Sequence, residues 1–317
     1  MNAPSPTGFA TRTGAFASRA VVAAIVVAAF VGLAWADAVG LGGSLPAWWL
    51  LPVVVVVAAR GAAEYAGLFA AAGVGVRGPI VQFATVMVAV SAAVGAQAFA
   101  ADAIPVSPVA ALGWTAVAVT LAVVLLAAAE LPGYRAGARR LEPLAAGVFV
   151  VASLGLPLAF MVALRLVCVE DLGPEQRGPG HLGILPLVSL VAVVKAGDIA
   201  AYVVGTLVGR HRMAPLLSPG KTWEGAAASL VASLAAAWFV LERTGFSAVQ
   251  PWGGWPVFGL LVGGAGMVGD LAESFVKREL GAKDSGRLLG GLGGVMDLVD
   301  SLLLAAPIAW ILWVLGR

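Results

Sequence analysis

The chain has 317 residues, of which 61% are apolar and only 11% are charged. So few charges do not cover the surface of a water-soluble globule of this size, which excludes a soluble enzyme, a disordered protein and a nucleic-acid binder. The net charge of +2 points to no partner, and the single cysteine, Cys168, excludes an internal disulfide and a cysteine-based metal cluster.

Nine apolar segments are long enough to cross a bilayer, which takes about 20 residues. Proline or glycine lies near most of their ends. The predicted spans are approximately 20–40, 45–72, 79–101, 106–131, 143–167, 182–209, 223–242, 252–276 and 293–315. The pattern predicts an all-α, polytopic integral membrane protein with about nine transmembrane helices. We expect the long sixth and eighth spans to break near Gly197 and Gly263–Gly264.

The basic residues indicate how these spans are oriented. With a cytoplasmic N-terminus, most of the 19 lysines and arginines fall inside, and only Arg177, Arg243 and Arg317 fall outside. This split follows the positive-inside tendency, so we predict a protein of the cytoplasmic (inner) membrane with its N-terminus and active site in the cytoplasm.

The predicted organisation is a cytoplasmic tail at 1–18 followed by a single membrane domain at 19–317. Within that domain, 19–180 supplies the N-terminal helices, and 181–317 supplies the catalytic helices and loops, where the polar residues are concentrated. One alternative stays open for the first span, because the residues up to Ala36 resemble a signal-peptide cleavage site.

Two pairs of acidic residues lie near the predicted cytoplasmic ends of the last two spans. Asp297 and Asp300 are three positions apart, as are Asp270 and Glu273, so a helix places each pair on one face. Carboxylates that converge in a partly dry environment need compensating cations, and Mg²⁺ prefers carboxylate oxygens with waters or substrate phosphates. The pattern therefore predicts that two or three of these carboxylates converge on a magnesium ion. Helix capping, or pairing with nearby basic residues, is the alternative.

Two basic, glycine-rich segments, 210–225 and 277–287, are expected on the same side as these carboxylates. Cations and N–H donors beside an acidic, metal-binding cluster suit a substrate with several phosphates. A purely topological role is the alternative for the arginines of the first segment. In the second predicted span, Arg60 and Glu64 lie one helical turn apart, which fits either an ion pair or a supporting role near the site.

The glycine-rich stretches around Gly220 and at 290–294 do not match known nucleotide-binding fingerprints. A Walker A motif needs glycine five residues before Gly220, where this chain has Pro215, and no strand is predicted to precede it. Residues 290–294 lack the strand and spacing of a dinucleotide motif. We expect them instead to allow close backbone approach to a ligand at the start of the last helix.

Four short motifs follow one another in the last third of the chain. They are DIAAY at 198–202, SPGKTWEG at 218–225, GDLAES at 269–274, and a longer signature running from Ser274 through Lys277, Arg278, Lys283, Asp284 and several glycines to Asp297 and Asp300. In order and spacing they resemble the phosphatidate cytidylyltransferases, also called CDP-diacylglycerol synthases.

This resemblance implies an enzyme of phospholipid synthesis that converts CTP and phosphatidate into CDP-diacylglycerol and pyrophosphate by metal-assisted nucleotidyl transfer. Catalytic roles are implied for Asp270, Asp297, Asp300 and Lys283, with the three aspartates holding Mg²⁺ and any second metal ion. The implied substrate-binding residues are Ser218, Lys221, Thr222, Lys277, Arg278, Asp284, Arg287 and Asp198. The expected partners are CTP, phosphatidate and the lipid bilayer, without nucleic acid, and a homodimer is left open.

Three positions depart from the family pattern: Leu292 stands in place of histidine, Leu298 in place of arginine and Gly220 in place of lysine. These losses should weaken phosphate contacts or leave them to Lys221 and Arg287. The alternatives are a cytidylyltransferase for an ether lipid or a polyprenol, a relative that has lost activity, and a cation-coupled transporter. A transporter is expected to carry acidic residues at mid-bilayer in both halves, whereas here they lie in one half and near one side.

Overall fold

The computed structural model describes residues 50–100, 108–135, 139–167, 184–243, 250–286 and 293–316, together with the helical positions Gly32 and Ala36. Eight helices in these ranges are long and apolar enough to cross a membrane. They are α1 (Leu50–Ala71), α2 (Gly78–Ala100), α3 (Pro108–Glu130), α4 (Leu141–Arg165), α5 (Ile184–Leu207), α6 (Trp223–Arg243), α7 (Gly254–Glu279) and α8 (Met296–Leu315).

These helices coincide with eight of the nine predicted spans and confirm an all-α, polytopic membrane fold. The predicted first span, 20–40, lies outside the described residues except for Gly32 and Ala36, and so does the tail at 1–18. The division into a tail and a single membrane domain stays a prediction.

The helix α4 contains one widened turn at Val151–Gly155, where the Leu156 N–H bonds to the Val151 carbonyl five residues earlier. Pro157 follows directly and has no N–H to continue the ordinary α-helical ladder, which explains the local shift in hydrogen bonding. Gly155 lies against α2, since a Cβ at this position would come within 3.1 Å of the Thr85 carbonyl oxygen.

The predicted breaks near Gly197 and Gly263–Gly264 are wrong, because α5 and α7 run unbroken through these positions. The structure gives Gly197 and Gly263 a packing role. A Cβ at Gly197 would lie 2.7 Å from Ser233 Oγ of α6, and one at Gly263 would lie 2.5 Å from the same atom. Small residues at helix crossings let backbones approach closely, as is common in membrane helix bundles.

Consecutive helices pack side by side through the C-terminal half, with α5 on α6, α6 on α7 and α7 on α8. In the N-terminal half α1 packs on α2 and α2 on α3, while the second part of α4 contacts both α2 and α8. The four helices α5–α8 therefore form a continuous group, and α4 connects this group to the earlier helices.

A short antiparallel β-hairpin joins α5 to α6, where the sequence predicted only a loop. Its strands are β1 (Arg212–Ala214) and β2 (Ser218–Thr222), and Arg212 pairs with Thr222. Thr222 also caps α6, because its Oγ1 accepts a hydrogen bond from the Gly225 N–H at 3.1 Å. The strand pairing and this cap fix β2 directly beside the start of α6.

Candidate active site

One cavity of about 490 Å³ lies where α5, the hairpin, α6, α7 and α8 meet. Seven of the residues predicted to form the site line its wall. They are Asp198, Ser218, Lys221, Thr222, Asp270, Asp297 and Asp300. Lys195, from α5, also lines it. The structure thus brings four carboxylates and two ammonium groups together around one space.

Each of two wall carboxylates is paired with a lysine ammonium. Lys221 Nζ of β2 forms an ion pair with Asp270 Oδ2 of α7 at 2.8 Å and makes no hydrogen bond within the described residues. Lys195 Nζ lies 3.0 Å from Asp198 Oδ2, and it also donates to Ser301 Oγ at 3.0 Å. The Lys221–Asp270 ion pair connects the hairpin to α7, and the hydrogen bond from Lys195 to Ser301 connects α5 to α8, so the lysines both neutralise the wall and join its parts.

Asp300 lies beside a second, more deeply buried acid. The carboxyls of Glu273 and Asp270 are both close enough to the Asp300 carboxyl to interact with it electrostatically. Glu273 is only 5% exposed, and its Oε1 accepts no hydrogen bond from the described residues. Adjacent carboxyls in a poorly solvated place repel one another unless a cation or a proton lies between them. Asp270, Glu273 and Asp300 therefore make this part of the cavity attractive to cations.

Asp297 has a different set of contacts, although it lies only one helical turn from Asp300. Its Oδ1 accepts from Lys277 Nζ at 2.6 Å. Its Oδ2 accepts from the Gly294 N–H at 2.7 Å, the Ser285 hydroxyl at 2.8 Å and the Ser285 N–H at 3.1 Å. Four donors surround this carboxylate and hold it against the start of α8, and its predicted contact with a metal ion stays a prediction.

The other predicted residues within the described ranges do not line the cavity. Lys277 is buried between Glu273 and Asp297. Arg278 donates to the backbone carbonyls of Leu217 and Ala282, so it links the hairpin turn to the segment after α7. Lys283 and Asp284 are exposed on that segment, and Arg287 lies outside the described residues.

The sequence did not predict the contacts that Lys195 and Glu64 make at and near the cavity. Lys195 is a charge within the sixth predicted span, and its spacing of three from Asp198 is the only signal in the sequence that links the two residues. Glu64 accepts hydrogen bonds from the start of α8, which excludes the proposed pairing with Arg60 as the main use of its carboxylate. No local pattern indicated this contact, because the two segments are more than 200 residues apart.

The predicted Mg²⁺ would need oxygen ligands from the side chains around the cavity. Within the described ranges, no three acidic, histidine or cysteine side chains already form a group that could hold a metal ion. The chemistry nevertheless fits a divalent cation, since Asp270 and Asp300 are oxygen ligands of the kind Mg²⁺ prefers. The Lys221 ammonium lies beside Asp270 at 2.8 Å, and the metal assignment stays a prediction.

The chain is similar to known proteins over most of its length. The cytidylyltransferase family matches residues 17–315. The phosphatidate cytidylyltransferase of Brucella suis is 47% identical over 137 residues, which are 43% of this chain and 49% of that protein. Its counterpart from Mycobacterium bovis is 46% identical over 122 residues, 38% of this chain and 39% of that protein.

A third relative, the phosphatidate cytidylyltransferase of Mycobacterium leprae, is 42% identical over 155 residues, which are 49% of this chain and 45% of that protein. The chain thus spans about half the length of the curated relatives it matches, or less. The family match, by contrast, covers nearly the whole chain. This chain belongs to the cytidylyltransferase family.

Proposed function

We propose that the protein is a CTP:phosphatidate cytidylyltransferase that forms CDP-diacylglycerol and pyrophosphate. The observation that carries the proposal is the single cavity in which Asp198, Asp270, Asp297 and Asp300 meet Lys195 and Lys221. Acidic groups that attract a divalent cation, next to lysines that bind phosphates, suit a triphosphate reacting with a second phosphate. The names of the relatives agree with this choice of substrates.

In the proposed reaction, an anionic oxygen of the phosphatidate phosphate attacks the α-phosphorus of CTP. The new P–O bond forms as the bond to the bridging α,β-oxygen breaks, and pyrophosphate leaves with that oxygen and its electron pair. The attacking phosphate is already anionic, so no strong base is needed. The protein has to align the two phosphates and offset their charge. Lys221 and Lys195 would bind phosphate oxygens, with Ser218 and Thr222 orienting them from β2.

We assign Mg²⁺ to Asp270 and Asp300, with Asp198 close by on α5. When bound, the ion would supply charge neutralisation on the α-phosphate and the leaving pyrophosphate. Asp297 would act through the start of α8, and a second metal ion would require further ligands from the substrates. Lys277 would support the site through its contacts with Glu273 and Asp297. Arg278 at the end of α7, with Lys283 and Arg287 on the segment after it, would meet phosphates. Asp284 would orient the substrates.

We place this chemistry at the cytoplasmic face of the inner membrane. The two basic segments, 210–225 and 277–287, carry seven of the ten lysines and arginines in residues 181–317, as expected for cytoplasmic loops. The phosphatidate headgroup would then reach the cavity from the inner leaflet while its acyl chains stay between helices. A homodimer is compatible with this arrangement, and cross-linking in native membranes would establish it.

The deciding experiment measures pyrophosphate release and lipid product by the purified protein in detergent. With CTP, phosphatidate and Mg²⁺ present, we expect both products in equal amounts, and we expect neither when Mg²⁺ is chelated. An ether-lipid phosphate and a polyprenyl phosphate should be supplied in parallel to identify the lipid class. If CTP is not consumed with any of the three lipids, the proposal is wrong.

Replacing Gly220 with lysine is expected to improve the use of CTP. Gly220 lies on β2 at the cavity wall, has no atom within 4 Å of an added Cβ, and occupies a position where the family usually carries lysine. One more ammonium near the phosphates should lower KM for CTP by about two- to fivefold, as expected for a partly exposed charge pair. Steady-state kinetics of Gly220→Lys measures this, and Gly220→Glu should raise KM. An unchanged KM in both variants would remove position 220 from the CTP site.

A further inference from the structure

Glu64, on α1 in the N-terminal half, contacts the beginning of α8 directly. Its Oε1 accepts a hydrogen bond from the Val295 N–H at 2.8 Å, and its Oε2 accepts from the Met296 N–H at 3.0 Å. The Ser285 hydroxyl lies 3.1 Å from the same Oε2. One carboxylate therefore holds two segments of the chain that flank residues 287–292.

The backbone groups that Glu64 accepts from would otherwise lack partners. The first N–H groups of an α-helix have no intrahelical acceptor, and a negative charge near them is favourable. No side chain at the cap position of α8 accepts from this first turn. Glu64 therefore does for α8 what a capping residue does for its own helix, but from a different transmembrane helix.

The glycines around Glu64 are consistent with this close fit. A Cβ at Gly286 would lie 2.8 Å from Glu64 Oε1, and a Cβ at Gly294 would overlap Oε2. One turn earlier on α1, a Cβ at Gly61 would lie 2.8 Å from Met296 Sδ. The start of α8 is thus fixed against α1 by a polar contact and by adjacent apolar packing.

This contact is connected to the cavity through Ser285. The Ser285 hydroxyl lies between Glu64 Oε2 and Asp297 Oδ2, and its N–H also donates to Asp297. Asp300 follows Asp297 by one turn on the same helix and faces the cation-attracting part of the cavity. A shift of the first turn of α8 would therefore move Asp300 relative to Asp270.

We propose that Glu64 is a positioning residue for the transfer reaction, which fixes the first turn of α8 so that Asp300 stands opposite Asp270. This inference rests on the proposed function. Glu64 touches neither substrate nor reacting atoms, and it acts through the backbone of Val295 and Met296.

The test compares Glu64→Gln and Glu64→Leu with the matched control Glu142→Gln. Among the described residues, Glu142 pairs with Arg139 at an exposed position away from the cavity, so its variant should retain wild-type activity. Glutamine keeps one of the two acceptor oxygens and leucine keeps neither, so the losses should be graded. We expect kcat to fall about tenfold for Glu64→Gln and about 100-fold for Glu64→Leu, with KM for CTP changed less than about threefold.

A second readout does not depend on activity. Lys283 lies on the segment that Ser285 anchors, so loosening of this segment should speed tryptic cleavage after Lys283 by about tenfold in Glu64→Leu, matching the loss of an anchor worth ~1.4 kcal/mol. Wild-type-like kcat and cleavage in both Glu64 variants would overturn the proposal. So would equal losses in the two variants together with a reduced yield of folded protein, because that pattern marks a folding defect.

The two proposals fail in distinguishable ways. If the wild-type protein does not use CTP and phosphatidate, the proposed function is wrong, while the cleavage rates still report on the anchoring of α8. If the wild-type protein is active and the Glu64 variants match it in both measurements, only the positioning role is wrong.

Discussion

Asp300→Asn is expected to lower kcat for CDP-diacylglycerol formation by about 10³-fold or more, with the protein still folded. The change keeps the size of the side chain but removes a charged ligand from the cation-attracting part of the cavity. It also relieves the repulsion between Asp300 and the neighbouring Glu273 carboxyl, so the melting temperature in detergent should not fall. Pyrophosphate release at saturating CTP and Mg²⁺ measures the first effect, and thermal unfolding measures the second.

The matched control for this variant is Glu242→Gln. Glu242 is exposed near the far end of α6, about 20 Å along the helix from Ser229 at the cavity, so the variant removes the same charge at a distant position. It should retain full activity. Turnover by Asp300→Asn within about threefold of wild type would contradict the metal assignment, because no single ligand loss of this kind is so mild.

Lys277→Met is expected to destabilise the protein by about 3–5 kcal/mol, which is the usual cost of breaking a buried ion pair. Lys277 is only 8% exposed, and its ammonium lies 3.1 Å from Glu273 Oε2 and 2.6 Å from Asp297 Oδ1. Without it, two carboxylates stay buried near each other with no cation between them. The melting temperature in detergent should fall on the order of 10 °C.

Two comparisons make this second prediction specific. Arg139→Met breaks an ion pair whose partners are 84% and 56% exposed, so it should cost about 1 kcal/mol or less. Adding Glu273→Gln to Lys277→Met removes one of the stranded charges and should recover part of the lost stability. If Lys277→Met and Arg139→Met have the same melting temperature, the buried network does not stabilise the fold.

Much of the membrane architecture could be predicted from the sequence because it depends on local composition. The eight described spans are continuous apolar segments, and each was visible as such in the chain. The breaks predicted at Gly197 and Gly263 were wrong because the same residue that weakens an isolated helix also allows two helices to approach. The choice between these effects depends on the neighbouring Ser233, which belongs to another helix.

The candidate site could be predicted in part. The spacing of Asp297 and Asp300 correctly placed both side chains at one cavity, because side chains three positions apart share a helix face. This spacing did not predict that the two carboxylates have different neighbours. Asp297 is saturated by Lys277, Ser285 and Gly294, whereas Asp300 lies beside Glu273.

The sequence by itself determined a helical membrane protein, the identity of its polar residues and the family motifs that contain them. These properties follow from hydropathy and spacing along the chain. Only the tertiary structure decided which lysine neutralises which aspartate, that a hairpin carries Lys221, and that Glu64 anchors α8. Each of these depends on side chains brought together from distant helices, and the strength of an ion pair or hydrogen bond is set by distance and burial in space.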